Sequence, residues 1–265
     1  MSSPDTTWND AEAFQSYGGR WSRYAGRELL DWLEPDPNLS WLDVGCGTGS
    51  LVEAILTFAE PADVTGVDQS EEYLSYAESK FGASNVNFQL GNAEDLDVAD
   101  SAFDVVTSGL LLNFLDDPLA VVKEMKRVVV PGGIVAGFVW DYGPHTQFVD
   151  TFWKAAAKLD PQASELDEAT RFPLCKPEPL RELLTEGGLD DVVVEKRYIA
   201  TPFENFNDYW EPFLGGQCPA PRYCASLSEQ QQLDLREHLR FNMRFDPKGR
   251  IRMYARLWAF RGIKS

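Results

Sequence analysis

From residue 40 onward the chain alternates short β-type runs with stretches of helical periodicity. Trp41–Val44 reads as a strand that runs into the turn Gly45-Cys-Gly-Thr-Gly49. Behind the turn, Leu51, Val52, Ala54, Ile55, Leu56 and Phe58 recur at helical spacing. Val64–Val67 predicts a second strand ending at Asp68, and Ser70 then caps a helix with Tyr73, Leu74, Ala77 and Phe81 on one face. Val86–Leu90 and Phe103–Thr107 read as strands three and four. Asp117 followed by Pro118 is an N-cap with proline in the first turn, opening a helix to about Val129. Pro131-Gly-Gly133 stops it before a fifth strand, Ile134–Trp140. Strands separated by helices of this length pair in parallel through right-handed crossovers, which predicts a doubly wound α/β sheet with helices on both faces.

Beyond residue 144 the pattern loosens. A helix over Gln147–Leu159 gives way to a stretch rich in proline and acid, then to a short helix Leu180–Glu186 and a strand Val192–Tyr198. Phe203–Phe213 is dense in aromatics, and Gly215–Pro221 reads as a loop. Ser228 and Gln231 have capping-box spacing at the start of a helix reaching about Met243. The final run, Ile251–Phe260, alternates apolar and polar positions as a strand does.

Charge narrows the classes of partner. Lys and Arg number 24 against 42 Asp and Glu, a net −18, and such a field repels nucleic acid and anionic lipid, so neither is an expected partner. The balance reverses locally between Arg236 and Arg261, where Arg236, Arg240 and Arg244 form a helical stripe. That stripe either docks an anionic acceptor or, as the preferred reading, pairs with the acidic remainder of the protein. No run approaches the roughly 20 apolar residues of a membrane-spanning helix. The first residues carry neither the basic start nor the apolar run of an export signal, so the expected location is the cytoplasm. His145 and His238 are not at metal-ligand spacing, and Cys46, Cys175, Cys218 and Cys224 form no Cys-x-x-Cys pair. No metal site is expected, and the cysteines read as reduced thiols.

The glycine turn lies between a strand and a helix, where a ligand can approach the backbone closely. A dinucleotide fingerprint would want Gly or Ala at position 50, where Ser50 stands. Asp43, just before the first glycine, would repel a pyrophosphate but suits a ligand carrying an ammonium and a sulfonium. Asp68 ends the second strand, where a carboxylate can accept both ribose hydroxyls. A nucleoside with a cation on its 5′ side fits this arrangement better than a nicotinamide dinucleotide does.

These residues carry a family resemblance. Leu42–Gly49, Gly66–Asp68, Gly91–Leu96, Phe103–Ser108 and Arg127–Gly133 stand in the order seen in class I S-adenosylmethionine-dependent methyltransferases, and the chain resembles their small-molecule, methyltransferase type 11-like members. The resemblance covers about residues 14–141. It implies a seven-stranded sheet in order 3-2-1-4-5-7-6 with the last strand antiparallel, and S-adenosyl-L-methionine as cofactor. It also implies that Gly45, Cys46, Gly47 and Gly49 meet the methionine part, with Asp43 at the mouth of the strand as a further cofactor-binding residue. Asp68 and its neighbour Gln69 then take the ribose, Asn92, Ala93 and Glu94 border adenine, and Ser108 closes the end of the fourth strand. Asn92 departs from the Asp often found there. Many small-molecule members have an N-terminal lid, and by that resemblance Tyr17, Arg20 and Trp21 contact the methionine carboxylate and the sulfonium face; the alternative is a packed helix.

The implied organisation is one domain, 1–265. It comprises N-terminal lid helices 1–39, a cofactor-binding half 40–144, substrate-side helices with a cap-like insertion 145–245, and a C-terminal strand 246–265. Ser108–Phe114 lacks the Asn/Asp-Pro-Pro-Tyr clamp of family members that methylate bases or glutamine. Trp140–His145 follows the fifth strand at the ligand edge, which makes His145 the candidate base and Asp141 a second, with loop or capping roles as the alternatives. The aromatic segment 203–223 is read either as a pocket wall or, preferably, as the cap's own core. The expected function is methyl transfer to a small-molecule acceptor, with O, N or C left open. Its rivals are a non-catalytic S-adenosylmethionine-binding regulator and a nicotinamide-dependent oxidoreductase. Oligomeric state is not legible.

Overall fold

A computed structural model describes residues 10–81 and 85–265. The strands are β1 (Ser40–Val44), β2 (Asp63–Asp68), β3 (Val86–Leu90), β4 (Phe103–Gly109), β5 (Val129–Trp140), β6 (Asp190–Ala200) and β7 (Tyr254–Ile263). Among the described residues they form one seven-stranded sheet in order β3-β2-β1-β4-β5-β7-β6. β1 pairs in parallel with β2 and β4, while β7 is antiparallel to both β5 and β6. The doubly wound sheet and its strand order are therefore as the sequence implies.

Alternation along β1 assigns its side chains to the two layers. Trp41 packs with Leu29 and Ile55 on one face, while Leu42 packs with Val122, Met125 and Leu180 on the other. Fully burying side chains of this size contributes about 1.5–3 kcal/mol each. The first layer is built by α1 (Ala11–Phe14), α2 (Arg20–Leu33) and α3 (Ser50–Phe58); α4 (Glu71–Phe81) follows β2. α2 and α3 approach closely because Gly26 has no side chain: a Cβ there would lie 3.0 Å from Ala54 Cβ and Leu51 Cδ1. The opposite layer holds α5 (Pro118–Val128), capped by the Asp117 side chain as its sequence requires.

The cap follows β5 as α6 (Gln147–Leu159), α7 (Glu168–Arg171), then α9 (Phe206–Trp210), α10 (Pro219–Ser226) and α11 (Glu229–Asn242), with α8 (Pro177–Glu186) packing beneath β6. The Ser228–Gln231 capping box is present. The aromatic segment forms the cap's own core: Phe213 stacks on Phe152 at 4.4 Å, and the Tyr209 hydroxyl donates to the Phe148 carbonyl at 2.9 Å.

Several boundaries differ from the sequence reading. β5 begins at Val129 because Pro131-Gly-Gly133 is accommodated as an irregularity in the pairing with β4 instead of ending the strand's approach. Part of the expected loop Gly215–Pro221 is α10, whose prolines fall in the first helical turn, where their missing N–H costs nothing. The last strand runs Tyr254–Ile263, and Ile251 instead makes an isolated bridge to Phe203.

Candidate active site

The carboxyl ends of β1, β2, β3 and β4 converge on a cavity with about 980 Å³ of open space, including the part open to solvent. Its floor is the glycine turn. Gly45 has φ +71°, which a side chain would strain, and a Cβ there would also lie 2.8 Å from Leu111 Cδ2. The Gly45 and Cys46 amides both donate to the Val67 carbonyl, at 2.8 and 3.0 Å, and the Gly47 amide donates to Asp68 Oδ2 at 2.8 Å. Ser70 N donates to Asp68 Oδ1 at 2.9 Å. Burial pushes the Asp68 carboxyl upward, against the opposing pull of the Ser70, Gly47 and Gln69 amides.

Seven of the expected cofactor residues line this cavity: Tyr17, Gly45, Gly47, Asp68, Gln69, Asn92 and Ala93. The others support the floor or point elsewhere. The Cys46 thiol packs against β2, where a Cβ on Gly66 would meet it at 2.9 Å, and a Cβ on Gly49 would meet Phe81 at 2.6 Å. Asp43 is fully buried behind the turn and accepts from Thr107 Oγ1 at 3.2 Å; burial pushes its carboxyl up to about 8. Ser108 is buried, and its hydroxyl finds no partner among the described residues. The Glu94 amide donates to Asn92 Oδ1 at 3.0 Å, closing the loop.

The N-terminal segment takes an unexpected form. Gln15–Gly19 is a single π-helical turn between α1 and α2, a distortion that recurs at functional sites. It directs Phe14, Tyr17 and Gly18 at the cavity. The Tyr17 ring packs edge-on against Phe213 and Phe148, at 5.2 and 6.0 Å, while its buried hydroxyl has no partner among the described residues. Arg20 and Trp21 do not line the cavity. Arg20 pairs with Asp208 at 2.8 Å and lies over the Trp21 ring, and Trp21 packs edge-on against Phe203.

The candidate bases also lie off the cavity wall. Asp141 is held in an ion pair by Arg256 and turns the loop by accepting the Gly143 amide at 3.2 Å. The His145 carbonyl accepts the Arg256 amide at 2.9 Å. The residue between them, Tyr142, does line the cavity, together with Trp140, Phe148, Val149 and Cys218. The sequence placed Phe148 and Val149 in a helix over Gln147–Leu159, but nothing in it distinguished a ligand wall from a core. The basic stripe divides likewise: Arg236 donates to Asn207 Oδ1 at 3.0 Å, and both Arg236 and Arg240 lie over the Phe206 ring. Those two use an amide and a ring in place of the acidic partners the charge balance suggested.

A second chamber opens beside the first and shares Phe114, Leu115 and Cys218 with it. No group of three or more potential metal ligands exists among the described residues, and no described helix is long and apolar enough to cross a membrane.

Known proteins resemble this chain in sequence or in fold. A family model described as a methyltransferase domain matches residues 42–137. Demethylmenaquinone methyltransferase of Bacillus licheniformis is 39% identical over 165 residues, spanning 57% of this chain and 70% of the relative. The YcgJ protein of Bacillus subtilis superposes with a TM-score of 0.57 at 17% identity, covering 91% of this chain and 98% of that one. Phosphoethanolamine N-methyltransferase 2 of Haemonchus contortus, solved with phosphomonomethylethanolamine and S-adenosylhomocysteine, gives 0.59 at 18% identity over 96% of this chain and 56% of its own. With this sheet order, this glycine turn and this relative, the chain belongs to the class I S-adenosylmethionine-dependent methyltransferases.

Proposed function

We propose that the cavity holds S-adenosylmethionine along the glycine turn and that the protein methylates a small, largely apolar acceptor. The observation that carries this reading is a single cavity running from Asp68 at the end of β2 to the aromatic wall of Trp140, Tyr142 and Phe148. When bound, S-adenosylmethionine supplies an electrophilic methyl group on a sulfonium, transferred in line to a nucleophile.

The residues present fit that group. Asp68 is fixed by backbone amides with oxygen lone pairs left to accept ribose hydroxyls. Asn92 and Ala93 border the far end, where adenine lies in this reading. Asp43 places a carboxyl behind the turn, where an ammonium or sulfonium draws it toward its charged form. Trp140 and Tyr142 present ring surface, which favours a cation over water. The orphaned Tyr17 hydroxyl hydrogen-bonds the occupant.

Among the described residues, the cavity lining holds no histidine and no carboxylate besides Asp68. The tyrosines Tyr17 and Tyr142 are pushed well above their ordinary range by burial, so neither takes a proton at neutral pH. The protein's contribution is then positioning and exclusion of water, and the acceptor brings a nucleophile already reactive near neutral pH, such as a phenolate, an enolate carbon or a neutral amine. The net charge of −18 supports a small molecule over nucleic acid or an anionic membrane. The test is release of S-adenosylhomocysteine from S-adenosylmethionine in the presence of a panel of phenols, enols and amines. Acceptor-dependent release supports the reading, whereas release only with oligonucleotides or proteins refutes it.

A further inference from the structure

We propose that Gln15 is a positioning residue, clasping the N-terminal segment to the glycine turn and so setting the grip on the amino-acid portion of S-adenosylmethionine. This rests on the cofactor reading of the cavity. Gln15 opens the π-helical turn that ends at Gly19. Residues two apart on a helical turn point in nearly opposite directions, so Tyr17 faces the cavity while Gln15 faces away from it. Gln15 Nε2 donates to Thr48 Oγ1 and, at 3.2 Å, to Ser50 Oγ. Those two hydroxyls flank Gly49, which closes the glycine turn with φ +80° and caps α3.

Three further features fit a clasp. The Ser50 hydroxyl donates to the Gly19 carbonyl at 3.4 Å, so both ends of the π-helical turn are tied to one serine. Gly19 leaves the room that the Gln15 amide occupies: a Cβ there would lie 2.9 Å from Gln15 Cδ and Oε1. Thr48 is buried, and its hydroxyl meets the Gln15 amide in place of water.

The clasp acts on one end of the turn. The other end is held by β2, because Gly45 and Cys46 donate to the Val67 carbonyl and Gly47 donates to Asp68. Gln15 secures Thr48–Ser50, together with the segment that brings Phe14, Tyr17 and Gly18 to the cavity. Removing the clasp therefore loosens the contacts to the amino-acid portion and leaves Asp68 and Asn92 in place for the nucleoside.

The test titrates the full chain calorimetrically with S-adenosylhomocysteine and with 5′-methylthioadenosine, which keeps the nucleoside but lacks the amino-acid portion. Gln15→Met keeps the length of the side chain and removes its hydrogen bonds. It should weaken S-adenosylhomocysteine at least fivefold and leave methylthioadenosine within twofold of wild type. Gln15→Glu should restore S-adenosylhomocysteine to within twofold, because both hydroxyls can donate to a carboxylate and the start of α3 favours negative charge. If Gln15→Met does not fold, Ser50→Ala removes one partner of the amide and carries the same comparison, with a loss of at least threefold. S-adenosylhomocysteine affinity unchanged in the variant, an equal loss for both ligands, or no restoration by glutamate overturns the proposal. If wild-type protein fails to bind S-adenosylhomocysteine at all, the cofactor reading has failed instead, so the two failures are distinguishable.

Discussion

The carboxylate of Asp68 accepts the Gly47 amide at 2.8 Å, which ties the end of β2 to the turn that follows β1. The acid and the glycine turn are thus one unit: moving either moves the other. Replacing Asp68 with alanine removes the proposed ribose acceptor and frees the turn. The expected loss of S-adenosylhomocysteine affinity is about 1–3 kcal/mol. Calorimetric titration checks it, and unchanged affinity would place the ribose elsewhere.

The Tyr17 hydroxyl is buried and lacks a partner among the described residues. Removing an unsatisfied buried group relieves a cost, so Tyr17→Phe should leave the melting temperature equal or slightly higher. Its effect should appear on the ligand side, as weaker cofactor or acceptor binding by about 1 kcal/mol. A variant with lowered stability and unchanged binding would mean the hydroxyl serves the fold.

Asp141 and His145 separate cleanly in expected behaviour. Asp141 is 11% exposed and holds the Arg256 guanidinium, itself 17% exposed, so Asp141→Ala strands a largely buried cation. The cost should be about 3 kcal/mol, read as a melting temperature lower by roughly 6–12 °C. His145→Ala should leave stability, cofactor affinity and turnover near wild type, because its side chain faces neither cavity. A large fall in turnover with cofactor affinity intact would restore it to the mechanism.

Stability should fall as pH rises from about 4 to about 8. Burial pushes the Asp43 carboxyl up to about 8 and that of Glu168, which accepts from Trp153 Nε1, up to about 7. Over that window the folded protein keeps protons that the unfolded chain has released, so each unit of pH favours the unfolded chain; above about 8 the effect is complete. Asp43→Asn retains a partner for Thr107 and removes one of the two groups. Urea unfolding at pH 5 and pH 8 should show a smaller decline for this variant. An identical decline would mean that Asp43 is ionised in the fold throughout.

The sheet was legible because its signals are local. Asp117 and Pro118 start a helix wherever they stand together before an apolar periodic run, and the alternation of Trp41 and Leu42 assigns them to opposite layers in any buried strand. The floor of the site was legible for the same reason, since Gly45, Gly47 and Asp68 sit at strand ends within one crossover unit. The lid and the wall were not. Arg20 finds its partner in Asp208, 188 residues away, and no periodicity announces that pairing. Arg256 pairs with Asp141 from 115 residues away. Tyr142 carries no signal distinguishing it from the loop residues around it. The helix over Pro219–Ser226 was hidden because two prolines and two preceding glycines look like a loop until their place in the first turn is known.

The central claim is tested most directly by titrating the purified protein with S-adenosylhomocysteine and, in parallel, with NADH. The account predicts micromolar binding of the first and none of the second. Binding of NADH alone, or of neither, would contradict it.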